Sequence, residues 1–454
     1  MTVDPYTPQS GDPRIRVEHY DLDLDYRLAT NRLAGTAVID VRIVTPTMSF
    51  SLDLVGLRAK KVRVDGDARA RFTESDRKLK IALGRVVAEG DVLRVTIAYA
   101  GAPKPRRTRW GSLGWEELED GALVASQPTG APTWFPCNDV PYDKATYTLR
   151  VATDPGYTVV GAVPAVRSTE RGRAVWAFDV PTPTSTYLMT LQIGRYAQED
   201  VALGEVPGRL FFPRALADRV HADFDGLARM MVVFEQLFGA YPFTEYTVVI
   251  TPDELEIPLE AQAMAIFGAN HVDGEHSLER LVAHELAHQW FGNSVGLRRW
   301  QDIWLNEGFA CYAEWIWSEQ NGGATAHAKA LAHHARLAES AQDMVLADPG
   351  PDRMFDDGVY KRGALTLHAL RLSIGDAAFF DLIRAWTARH QHSAATTADL
   401  LTMAEERNGM PLAGLFEAWL NRPELPELPR AAGIAPVEPA PITEAILGQD
   451  RSRR

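Results

Sequence analysis

The chain is poor in cysteine, in long apolar runs and in positive charge. Its only cysteines, Cys137 and Cys311, lie far apart in sequence. That excludes a disulfide framework and points to a reducing, cytoplasmic setting. No apolar run is long enough to span a bilayer. The first sixteen residues are polar and proline-containing, without the apolar core of a signal peptide. Lys and Arg number 47 against 60 Asp and Glu, a net charge of −13. This argues against nucleic acid or an anionic membrane as the main partner.

What is present is an ordinary globular composition, 46% hydrophobic and 24% charged, over 454 residues. That length suggests two or three domains and a core large enough to need no staples. From about Arg14 to Tyr196 the hydrophobic period is two. Leu22, Leu24, Tyr26 and Leu28 alternate with Asp21, Asp23, Asp25 and Arg27, and the runs through Ala37 to Ile43, Leu93 to Tyr99 and Tyr147 to Val151 repeat the pattern. Turn signals such as Asp65-Gly66 and Glu89-Gly90-Asp91 separate them. Many alternating strands with short turns predict an antiparallel sheet or sandwich over residues 1–200.

Beyond about Pro213 the period becomes helical. The spacing predicts a long helix over 215–238 and a short apolar strand over 247–251. Further helices are expected over 277–291, 306–319, 324–340, 363–373, 377–390, 397–408 and 412–420. Residues 201–430 therefore read as a mostly helical second domain, and the Pro- and Ala-rich stretch 431–454 as a disordered tail. The fold class is α+β.

Chemistry concentrates in His284-Glu285-Leu286-Ala287-His288, followed after eighteen intervening residues by Glu307. Helical positions four apart share a face, so both imidazoles point one way. Two imidazoles and a carboxylate suit a catalytic zinc that keeps its fourth position for water. Glu285 stands where a general base for that water belongs. Ser277 is the expected N-cap of the helix, and Leu278, Leu281, Val282 and Leu286 give it a buried face. Asp302, Asn306 and Glu314, near Glu307, are candidates to orient the histidines. His271, His276, His333 and His334 fall outside the pattern and read as surface or loop histidines.

Several separated motifs together resemble the zinc aminopeptidases that include aminopeptidase N and leukotriene hydrolase, the gluzincin metallopeptidases. The histidine motif with its distant glutamate continues as Trp304-Leu305-Asn306-Glu307-Gly308-Phe309-Ala310. Phe135-Pro136-Cys137-Asn138-Asp139 is similar to the family's F-P-C-x-D segment, and Tyr360-Lys361-Arg362-Gly363-Ala364 to its Y-x-K-G-A segment. The resemblance runs from about His19 to Pro429. It implies a thermolysin-like catalytic domain holding one Zn2+ through His284, His288 and Glu307. Glu285 would be the base and Tyr360 an oxyanion donor.

The resemblance also implies that Glu260 and Gln127 hold the amino end of a peptide with a free N-terminus. The family's G-A-M-E-N segment is altered here to Ile257-Pro258-Leu259-Glu260-Ala261, with only the glutamate kept. The large C-terminal helical domain of many relatives is not expected in this chain. The implied activity is removal of N-terminal residues by a zinc-activated water. An endopeptidase or epoxide hydrolase on the same fold, and a non-catalytic scaffold, are the alternatives.

Overall fold

The computed structural model describes residues 3–409 and 411–430. The expected disordered tail, 431–454, lies outside the described residues. The first half of the chain is built of strands, and the alternation seen in sequence sets which face is buried. Leu22, Leu24 and Tyr26 are buried along Ile15–Arg27, as are Ala37, Ile39 and Val41 along Arg32–Ile43. Leu28 leaves the strand and opens a 3-10 turn.

These strands lie in a seven-stranded sheet. Its order is Val166–Glu170, Arg173–Thr184, Ala145–Thr153, Ile15–Arg27, Arg32–Ile43, Val92–Gly101, Arg58–Val64. A three-stranded sheet, centred on Lys78–Val87, and a five-stranded sheet, centred on Gly121–Ala125, share its hydrophobic core. Packed antiparallel sheets were expected. One pairing differs: Ile15–Arg27 runs parallel to Ala145–Thr153. A parallel neighbour needs a long crossover, and the strands between them in sequence supply it.

The second half holds more sheet than its helical period suggests. One strand was expected, 247–251; it lies at Tyr246–Ile250 inside a five-stranded sheet. The sheet's order is Ala197–Leu203, Val206–Phe212, Tyr246–Ile250, Met264–Phe267, Leu259–Ala261. The last of these, three residues long, is an edge strand and carries Glu260.

The helices pack against this sheet around a second core. The helix expected over 215–238 is two, Ala217–Asp223 and Leu227–Phe238. The chain breaks where the Phe224 ring meets Phe267 edge-on, 5.3 Å between centroids. The last expected helix, 412–420, is one α turn, Ala413–Phe416, followed by a π-helical turn, Glu417–Asn421. No described helix is long and apolar enough to cross a membrane.

The two halves meet through specific polar contacts. Asp4 Oδ2 accepts from the Trp300 N–H at 2.8 Å. Trp110 Nε1 donates to Pro351 O at 2.7 Å. Lys144 Nζ donates to the main-chain oxygens of Asn293 and Ser294, each at 2.7 Å.

Candidate active site

Three helices build the site: a histidine helix, Glu279–Ala287, a glutamate helix, Trp304–Gln320, and a tyrosine helix, Asp357–Ile374. The histidine helix starts two residues later than expected. Leu278, not Ser277, holds its N-cap position, and no side chain caps it. Buried Asp223 accepts the N–H groups of Asp273, Gly274 and His276, at 2.8, 2.9 and 2.8 Å. A long-range carboxylate therefore organises the approach to the helix where a local cap was expected. The tyrosine helix starts earlier than the predicted 363, because Asp356 caps it by accepting from Gly358 N at 2.8 Å. Tyr360 is therefore inside the helix, in its first turns.

The glutamate and tyrosine helices cross at Gly308 and Gly363. A Cβ on Gly363 would stand 2.7 Å from Gly308 Cα, and one on Gly308 2.8 Å from Gly363 Cα. Only glycine permits such an approach. It brings the residue after Glu307 against a residue less than one turn beyond Tyr360.

His284, His288 and Glu307 converge as the sequence predicted. All are buried, and one donor atom from each lies within 4.8 Å of the others. Both Nε2 atoms are 3.5 Å from Glu307 Oε2. Two donors about 2.0–2.1 Å from one tetrahedral ion stand about 3.4 Å apart, so the spacing fits zinc. The far ring nitrogens are occupied. His284 Nδ1 lies 2.7 Å from Glu314 Oε1, and His288 Nδ1 lies 3.0 Å from Phe291 O. Donation from both Nδ1 atoms turns both Nε2 lone pairs toward Glu307.

Electrostatics agree. Burial opposes charge on Glu307, yet His288 and His284 hold its carboxyl below the usual range. Burial likewise opposes a charged His288, yet Glu260 and Glu307 pull it up to about 10. The carboxylates thus demand a cation among them, a demand that a divalent ion meets without protonating a ligand. Behind the ring of His284, burial opposes the charge of Glu314, but Lys361, Arg280 and His284 keep it well below the carboxylate range.

Glu285 is buried, and donor atoms of Glu285, Glu260 and His288 lie within 4.8 Å of one another. Burial raises the Glu260 carboxyl above its usual value. Gln127, arriving from the β half, donates its Nε2 to Glu260 Oε1 at 2.7 Å. The Tyr360 ring lies nearly parallel to that of His284, 5.9 Å between centroids. The structure thus brings His284, His288, Glu307, Glu285, Glu260 and Gln127 close together, with the Tyr360 ring beside His284.

The other sequence candidates separate. Glu314 alone of the three orienting candidates bonds a histidine. Asp302 instead accepts from Thr397 Oγ1 at 2.7 Å, and Asn306 packs beside Gly292. His333, expected at the surface, is buried and stacks flat on Trp315, 5.0 Å between centroids. Two residues escaped sequence reading. Gln289 and Asn293 are fully buried amides that hydrogen-bond the Glu260 hairpin. Their signal was amides within an otherwise apolar run, His288-Gln289-Trp290-Phe291-Gly292-Asn293.

Comparison with known proteins gives two family matches. Residues 16–188 match the Peptidase M1 N-terminal domain and residues 222–419 the Peptidase family M1 domain. Leucyl aminopeptidase of Saccharolobus solfataricus is 25% identical, over 91% of this chain and 54% of that protein. Endoplasmic reticulum aminopeptidase 1 of Homo sapiens is 28% identical, over 84% and 44%. The chain spans about half the length of the curated relatives it matches. The crystal structure of an M1 zinc metallopeptidase from Deinococcus radiodurans superposes with a TM-score of 0.87 at 31% identity, covering 95% of this chain and 100% of that one. A point mutant of that protein, bound to a Tyr-Ser-Ala substrate, superposes at 0.86 with 30% identity and the same coverage.

Proposed function

The chain belongs to peptidase family M1, and on that premise we propose that it is a zinc aminopeptidase, releasing N-terminal residues from peptides. The observation that carries this reading is the pair of Nε2 atoms, each 3.5 Å from one oxygen of Glu307, with Glu260 close by. His284, His288 and Glu307 hold the metal. When bound, zinc polarises the scissile carbonyl and lowers the pKa of the attacking water to about 7.

Glu285 accepts the water's proton on its carboxylate and delivers it to the leaving amine nitrogen. The Tyr360 hydroxyl donates to the oxyanion that forms on the carbonyl, a contact worth about 3 kcal/mol of barrier. Glu260 takes the substrate's α-ammonium. Gln127 spends an N–H on Glu260, so it presents its carbonyl oxygen to the ammonium. An ammonium held there is separated from its own carbonyl by a single carbon, which favours cleavage at the first peptide bond. A cytoplasmic setting is supported by the scarcity of cysteine, two residues far apart in sequence and both buried.

The test is a panel of aminoacyl fluorogenic substrates, free and N-acetylated. Turnover is expected on the free amines only, to stop with chelator, and to fall by about 10²–10⁴-fold in Glu285→Gln with zinc still bound. Full activity in that variant, or equal turnover of acetylated substrate, would overturn the reading; the second result favours an endopeptidase.

A further inference from the structure

Glu260 stands on a strand of three residues at the edge of its sheet, a weak mount for a group whose distance from the metal ligands matters. The hairpin is pinned from the other side. After Ala261 the chain turns through Ala263, a non-glycine residue at φ +57°, a conformation that must be held by its surroundings.

Gln289, the residue after His288, holds it. Its Oε1 accepts from Ala263 N at 2.9 Å, and its Nε2 donates to Ala261 O at 3.2 Å and Met264 O at 3.3 Å. Asn293 Nδ2 donates to the same Ala261 oxygen at 2.8 Å. Both side chains are fully buried. The main chain of Asn293 is fixed as well. Its N–H donates to His288 O at 3.0 Å, and its carbonyl accepts from Lys144 Nζ at 2.7 Å. Lys144 belongs to the β half, which also supplies Gln127. Asn293 is therefore bonded to the metal-binding stretch, to the Glu260 hairpin and to the half of the molecule that carries Gln127.

We propose that the carboxamides of Gln289 and Asn293 are positioning residues that fix the distance between the metal donors and the Glu260–Gln127 pair, and so set which peptide bond reaches the zinc. Buried carboxamides suit this task. Each offers directional bonds in a buried setting, where a lost bond leaves a main-chain polar group short of a partner. They carry no charge to disturb the metal. The altered sequence around Glu260 does not upset the arrangement, because the amides grip main-chain atoms, indifferent to side chain. The inference rests on Glu260 being the amine anchor.

The experiment compares an aminoacyl 4-nitroanilide with its desamino counterpart, in wild type, Gln289→Met, Asn293→Ala and the double variant, with bound zinc and thermal unfolding measured on each. The readout is discrimination, the ratio of kcat/KM on the two substrates. Discrimination is expected to fall tenfold or more in each single variant, through KM for the free amine. Zinc should stay at one equivalent, and desamino turnover within about twofold. Equal losses on both substrates, or no loss of discrimination, would overturn the proposal. Asn293→Ala, which leaves Gln289 in place, decides the matter if Gln289→Met does not fold. A wild type that does not discriminate would instead refute the aminopeptidase reading, and this proposal with it.

Discussion

The two ends of the candidate site are held by different physics. At the end proposed for hydrolysis the residues ride on helices, two of which touch backbone to backbone at Gly308 and Gly363. Behind them the donor set is braced by Glu314, itself among Arg280, Lys361 and His284. At the end proposed to hold the amine, Glu260 sits on an edge strand and Gln127 arrives from the other half of the chain. What fixes them is a handful of hydrogen bonds, each worth about 1 kcal/mol net. The chemistry is placed by close packing, which fails all at once. Recognition is placed by polar contacts, which can be removed singly and graded.

Substitutions can break or sharpen that contrast. The largest effect is expected of Gly363→Val. Its branched side chain has no room against Gly308, so kcat/KM should drop by at least about 100-fold and stability by about 3 kcal/mol, read by urea unfolding. A variant that packed and turned over normally would show that the crossing tolerates a spacer. Tyr360→Phe comes next. It should lower kcat by about 100-fold with little change in KM.

Glu260→Ala should raise KM by about tenfold while sparing kcat. A loss mainly in kcat would erase the distinction between the two ends, and Michaelis parameters on a free aminoacyl substrate decide it.

The smallest effect on turnover concerns the β half alone. Burial, helped by Asp53, pushes the Asp139 carboxyl up to about 7. Its folded pKa then lies above the unfolded 3.8, so the folded state binds the extra proton between about pH 4 and 7. Stability therefore falls as pH rises through that window, and the deficit is complete above it. Asp139→Asn keeps the oxygen that Thr186 Oγ1 donates to and cannot ionise. It should match wild type in unfolding free energy at pH 4 and exceed it at pH 8 by on the order of 4 kcal/mol, read by urea unfolding, with KM unmoved. A shift in KM would tie this part of the β half to recognition.

Legibility in the sequence followed the same divide. The alternation at Ala37, Ile39 and Val41 gave the buried face directly, because a half-exposed strand writes its environment with a period of two. The helical spacing of His284 and His288 placed both rings, and Glu314, two turns past Glu307, was recognisable as a neighbour. What stayed hidden was decided by distant contacts. Asp223 shaped the entry to the histidine helix, and no local pattern announces a partner some fifty residues away. The strand carrying Glu260 is too short to show a period, and its pairing is set by Met264–Phe267 beside it. His333 looked like a surface residue because nothing near it in sequence reveals Trp315.

Gly308 and Gly363 leave no cushion between their helices. A joint without filler cannot wear in by small steps: any side chain gained on one face must be matched at once by retreat of the other. The ligand-bearing and hydroxyl-bearing helices are therefore inherited as one part. A designer moving this chemistry into a new scaffold must carry Trp304–Gln320 and Asp357–Ile374 together, at their present crossing, or carry neither.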